Sequence, residues 1–119
     1  MRPEDRDAGY LWDMLDAATS AAEFVAGVRA ADYLRDRKLQ LAVERSMEII
    51  GEAARRVSEP VKSAHPEIPW QQMVAQRNVI AHEYGEIKQE RIWLVATTHI
   101  PELVRLLKPL LPPLPDTLS

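Results

Sequence analysis

The chain has no cysteine in 119 residues. That excludes disulfides and thiolate metal sites and fits a reducing cytoplasm. With four glycines and one phenylalanine against many Ala, Leu, Glu and Arg, the composition favours helix and has little strand character. No apolar run approaches the ~20 residues of a membrane span. The charged start, Met1 to Asp7, does not resemble a signal peptide. The formal net charge is -3, so no global basic field attracts nucleic acid. Any chemistry on RNA or DNA must therefore depend on local positive groups. The length suits one domain with a real core.

What is present is apolar periodicity at helical spacing. Tyr10, Leu11, Met14, Leu15, Ala18, Ala21, Val25 and Val28 recur at three- and four-residue steps, predicting a first helix over Tyr10 to Val28. Asp13, Asp16, Thr19 and Glu23 lie mostly opposite. Trp12 falls outside the face, where an indole marks a contact more often than a bare surface. Gly27 to Ala31 breaks the pattern, and Asp32 is a plausible N-cap for the next helix. That helix runs from Asp32 or Arg37 to Val61. Its face is Leu39, Val43, Met47, Ile50, Ala54 and Val57, widened by Ala42, Ile49 and Ala53. So wide a face sits between two helices of its own chain or also meets a second protomer. Glu44, Glu48 and Glu52 share its polar side, and a solvated face is the expectation for them, with Glu52 able to pair with Arg55 or Arg56. The alternative is that one of them reaches Arg77 and fixes its orientation.

Ser58 to Pro69 is a connector punctuated by Pro60, Pro66 and Pro69, with His65 as a loop residue held out of the helical region by Pro66. A third helix starts at Trp70 and has Gly85 as its natural stop. A fourth spans about Lys88 to Leu107 or Leu110, with Ile92, Val95, Ala96, Leu103, Leu106, Leu107 and Leu110 as its stripe. Pro101 should kink or split it near Thr98, and His99, on the stripe, is expected to be a buried core histidine. Residues 1-110 form the helical domain. The proline-rich tail, 111-119, is expected to be extended and mobile. The fold class is all-α, a bundle of four to five helices.

The third helix carries the chemistry. Trp70, Met73, Val74, Ile80, Ala81 and Tyr84 fall on one side of it, and Arg77 falls in the middle of that stripe. A guanidinium there is costly unless it is paired or lines a cleft open to water. Asn78 and His82, four residues apart, are displaced from Arg77 by roughly a third of a turn. These groups suit phosphodiester cleavage in RNA. An imidazole can take the proton of a ribose 2′-hydroxyl or give one to the leaving 5′-oxygen. A guanidinium offers its fork of donors to the non-bridging phosphate oxygens. The 2′-hydroxyl is an internal nucleophile, so the chemistry requires neither metal nor cofactor, in keeping with a sequence that has no HxxxH. One imidazole is short for a two-proton task, and a symmetric dimer would supply two copies of Arg77 and His82.

Arg77, four residues, His82, one residue and Tyr84 match the Rx4-6HxY pattern of HEPN-type toxins. Glu44-Arg45-Ser46-Met47-Glu48-Ile49-Ile50-Gly51-Glu52-Ala53, then Pro66-Glu67-Ile68-Pro69-Trp70, then Arg77 through Tyr84, resemble the HepT subgroup in order and spacing. The resemblance covers about Tyr10 to Leu110. It implies a HEPN-like helical bundle and a homodimeric, metal-independent endoribonuclease, with Arg77 and His82 catalytic and Asn78 their polar companion. It further implies the toxin of a toxin–antitoxin pair. The antitoxin would be an MntA-like minimal nucleotidyltransferase that transfers AMP onto Tyr84. Phosphate charge against Arg77 and bulk across the cleft would then block RNA. Two other classes of function compete: a non-catalytic helical module that is scaffold or substrate for a nucleotidyltransferase, and a nucleotide-binding regulatory subunit. The second lacks a glycine-rich phosphate loop.

Overall fold

A computed structural model of the chain describes residues 3–82 and 87–111, with side chains from Arg6 onward. These residues are helical with no strand: α1 (Pro3–Val25), α2 (Ala30–Tyr33), α3 (Arg37–Arg56), α4 (Glu59–Ala64), α5 (Trp70–His82), α6 (Gln89–Leu94), a π-turn over Val95–His99, α7 (Ile100–Leu107) and a closing 3₁₀ turn, Lys108–Leu110. No helix among them is long and apolar enough to cross a membrane. Of the proline-rich tail only Leu111 is described, so the expectation for 112–119 lies outside the described residues, as do Glu83, Tyr84, Gly85 and Glu86.

The helix α3 is the centre of the bundle, packed by α1 on one side and α5 on the other, while α7 lies against α1. Most of its wide apolar face is thus covered within the chain, with Leu39, Ala42 and Ile49 half-buried at its edges. Val43, Met47, Ile50, Ala53, Ala54 and Val57 are all buried there. From α1 they meet Leu11, Met14, Ala18, Ala21 and Val25, and from α5 Trp70, Met73 and Ile80. Burial on this scale, at about 25 cal/mol per Å² of apolar surface, is what holds so many modest helices together.

Several boundaries differ from the sequence reading. The first helix begins seven residues earlier, at Pro3, and ends at Val25, where Gly27 takes a positive φ of 74° that closes the turn. Asp32 caps nothing: it lies inside the four-residue α2, and Asp36 is the N-cap of α3, accepting from the Leu39 amide at 3.0 Å. The second helix stops at Arg56, five residues early, because Val57 turns extended ahead of Pro60. The connector then forms α4. Its first turn is tied to α1 by Asp7, whose buried carboxylate accepts from the Ser58 amide at 2.8 Å and hydroxyl at 2.6 Å.

Pro101 does split the fourth helix, through a π-turn ending at His99. Proline cannot donate to the Thr97 carbonyl, and the wider turn absorbs the mismatch. Thr97 Oγ1 donates to the Trp93 carbonyl at 2.8 Å. The widened turn also changes the phase of the stripe, bringing Ile92, Ala96, Ile100, Leu103 and Leu107 into the core. His99 is consequently exposed rather than buried, which corrects that expectation.

The solvated reading of the α3 glutamates fails for two of the three. Glu44 is buried, its Oε2 accepting from Gln89 Nε2 at 2.7 Å and pairing with Arg37 at 3.2 Å. Tyr33 completes this knot, donating to Gln89 Oε1 at 2.8 Å and stacking at a tilt on Trp93, 5.1 Å between ring centroids. Glu48 alone keeps a loose surface pairing, with Arg45 at 3.9 Å. Glu52 is turned toward α5.

Candidate active site

Gly51 sets the geometry of the α3–α5 seam. A methyl group there would overlap Arg77 Cβ and stand 2.6 Å from the Met73 carbonyl oxygen. A glycine inside a helix is unfavourable by about 1 kcal/mol relative to alanine, and here its missing side chain is the room into which α5 fits. The close crossing carries Arg77 over the next residue of α3, Glu52.

Arg77 Nε lies 3.0 Å from Glu52 Oε2, with side chains 28% and 33% exposed. Glu52 Oε2 is itself sealed from solvent and receives no aligned hydrogen bond, so this contact is an ion pair rather than a directed bond. Arg77 Nη1 donates to Asn78 Oδ1 at 3.2 Å. The other oxygen, Glu52 Oε1, accepts from Arg55 Nη2 at 3.2 Å and Arg56 Nη2 at 3.4 Å. One carboxylate therefore gathers three guanidiniums. A groove of about 220 Å³ opens beside them, walled by Tyr10 and Asp13 of α1, Arg45, Glu48, Glu52 and Arg56 of α3, and Arg77 of α5.

Asn78 is exposed and lines a second, larger groove between α4 and α5, with Arg55 and Lys62 on its opposite wall. His82 is exposed at the last position of α5. It lies five residues beyond Arg77, which on a helix is about 7.5 Å along the axis and about 140° around it. The structure thus brings Arg77 and Asn78 into contact and leaves His82 further along the same helix. Tyr84 lies outside the described residues. His65 ends α4 with its Nδ1 3.4 Å from Glu67, a local loop contact.

Sequence reasoning missed the Glu52 partnership as its expectation, keeping it as the alternative. The signal lay in Gly51, a helix-interior glycine marking close approach.

The family model of HepT-like ribonucleases matches residues 14–110. The chain belongs to that family. The HepT-like chain is 37% identical over 94 residues to a probable ribonuclease HepT of Thermococcus cleftensis, covering 79% of this chain and 86% of that one. It is 32% identical over 102 residues to a candidate RNase of Caldanaerobacter subterraneus, covering 86% and 91% respectively. With a candidate RNase of Methanocaldococcus jannaschii it shares 30% over 94 residues, covering 79% and 86%. No solved structure matches the chain.

Proposed function

We propose that the chain is a metal-independent endoribonuclease whose Arg77 and His82 act at the scissile phosphate, and that it is the toxin of a toxin–antitoxin pair. The observation that supports this most is the setting of Arg77. It is half-buried on an apolar seam, held on one side by Glu52 and on the other by Asn78, and it faces an open groove in a chain of the HepT-like ribonuclease family. A guanidinium so held has donors left for the non-bridging oxygens of a phosphate as their charge builds.

In the reaction, His82 takes the proton of the ribose 2′-hydroxyl and O2′ bonds to phosphorus. The bond from phosphorus to O5′ breaks, and the leaving oxygen takes a proton from an acid, giving a 2′,3′-cyclic phosphate and a 5′-hydroxyl end. Within one protomer Arg77 and His82 face different directions from α5, and there is only one such imidazole. A two-fold dimer placing both copies at one cleft supplies the base and the acid. Asn78 orients Arg77. Silencing follows if a nucleotidyltransferase antitoxin adds AMP to Tyr84, two residues from His82, because phosphate charge and bulk then compete with RNA at this end of α5.

The test is incubation of purified protein with RNA in EDTA, wild type beside His82→Ala, with product ends analysed. Cyclic phosphate ends from the wild type alone support the reading, and intact RNA in both lanes overturns it. One observation favours a second reading: the Arg77–Glu52 ion pair is also what a purely structural bridge between α3 and α5 would look like. A non-catalytic module that only engages a nucleotidyltransferase would leave growth equal when the chain and its His82→Ala variant are expressed alone.

A further inference from the structure

The three guanidiniums around Glu52 outnumber their anion. Arg55, Arg56 and Arg77 meet a single carboxylate; Arg56 and Arg77 line the α1–α3 groove, while Arg55 lines the α4–α5 groove. Over the whole α1–α3 groove the formal charges balance, Arg45, Arg56 and Arg77 facing Asp13, Glu48 and Glu52, with Glu48 turned to Arg45 and Asp13 on the α1 wall. Arg56 is the least satisfied of the three. Its contact with Glu52 is the longest, at 3.4 Å, and goes to an oxygen already shared with Arg55. A guanidinium has five donor hydrogens, and one long shared bond uses little of that capacity. Arg56 also lines the same groove as Arg77, with Tyr10 as an aromatic wall beside them. Guanidiniums beside an aromatic side chain are how single strands of nucleic acid are held without sequence preference.

We propose that Arg56 is a substrate-binding residue that seats the backbone phosphate next to the scissile one, gathered to Arg77 by their shared hold on Glu52. This rests on the ribonuclease reading above.

The test compares two substrates, a dinucleotide with one phosphodiester and a single-stranded oligonucleotide with phosphates on both sides of each cleavable bond. Arg56→Ala should lower kcat/KM on the oligonucleotide about tenfold, through KM, the loss expected of one charge-assisted contact, and lower the dinucleotide rate far less, since that substrate lacks the neighbouring phosphate. Arg56→Lys should recover part of the loss. Binding of the oligonucleotide to a His82→Ala background should show a salt dependence whose slope falls by about 0.7 when Arg56 is also removed. Arg105→Ala on α7, outside the groove, controls for net charge and should leave that slope alone. Equal losses on both substrates, or an unchanged slope on removing Arg56, overturn the Arg56 subsite while leaving the nuclease intact. A wild type that neither binds nor cuts either RNA removes the ribonuclease reading, and the subsite with it.

Discussion

Gly51 lies directly beneath Arg77, so close that any side chain on α3 at that point would occupy the space of the Arg77 Cβ. The same absence that lets two helices cross closely also fixes where the candidate catalytic guanidinium emerges. Fold and site are thus coupled through one glycine. Gly51→Ala should destabilise the chain by about 1–3 kcal/mol despite alanine's better helix propensity, because the overlap is with backbone and with the root of a side chain. Gly9→Ala is the matched comparison: it lies on exposed α1 with nothing within 4 Å, and it should gain about 0.5–1 kcal/mol. Urea denaturation of the two variants checks both signs, and a stabilised Gly51→Ala would show that the seam is looser than described.

The Glu52 contact separates orientation from charge. Arg77→Ala should cost about a hundredfold or more in kcat, as loss of a donor to a developing oxyanion does, with the helical signal retained. Glu52→Gln keeps the volume and removes the anion, so Arg77 is no longer drawn to one place. A loss of about tenfold to a hundredfold in kcat with KM nearly unchanged is expected from such misplacement. Circular dichroism and single-turnover cleavage decide between roles. If both variants lose helix in proportion to activity, the ion pair is a structural bridge and the catalytic assignment of Arg77 fails.

Tyr33 predicts a pH dependence. Burial pushes its phenol well above the ordinary value near 10, the Glu44 carboxylate raises it further, and Arg37 opposes them. In the unfolded chain Tyr33 ionises near pH 10, whereas in the fold it keeps its proton to higher pH. The unfolded state therefore binds fewer protons across that window, and stability falls as pH rises. Below pH 10 the contribution is fully present. Tyr33→Phe loses the bond to Gln89, so at pH 8 it should be less stable than wild type by about 0.5–1.5 kcal/mol. At pH 11 the difference should shrink, because only the wild type has that ionisation to suffer. Paired urea titrations at the two pH values measure it, and a constant difference would mean that Tyr33 ionises alike in both states.

How far these features could be read from the residues alone differs by kind. The α1 and α3 faces were legible because three- and four-residue steps of Leu, Val, Ile, Met and Ala leave few other arrangements. Arg77 was legible as an anomaly, a cation on an apolar stripe. Glu44 was not: periodicity placed it on a polar side, and only the docking of α6, which brings Gln89 to it, makes that side an interior. His99 was misplaced because one π-turn shifts everything after it, and hydrophobic pattern alone does not reveal an added residue in a turn. Arg56 looked like an ordinary partner of Glu52, four residues before it. That Arg77 competes for the same carboxylate is a fact of tertiary packing.

Tyr84 completes the motif that carries the family resemblance, and its proposed role gives a prediction that does not depend on its coordinates. If the phenol oxygen accepts AMP, attack on the α-phosphate of ATP forms a new P–O bond and expels pyrophosphate, so the modified chain gains one AMP per event. Tyr84→Phe lacks the nucleophile. It should retain ribonuclease activity within about threefold, as expected where the hydroxyl takes no part in cleavage, and remain toxic when the nucleotidyltransferase is co-expressed. Mass spectrometry of both proteins after incubation with that enzyme and ATP reads the outcome directly. AMP found on the Tyr84→Phe chain would move the acceptor elsewhere. A variant that resists modification but has also lost cleavage would instead place the Tyr84 hydroxyl in the reaction itself.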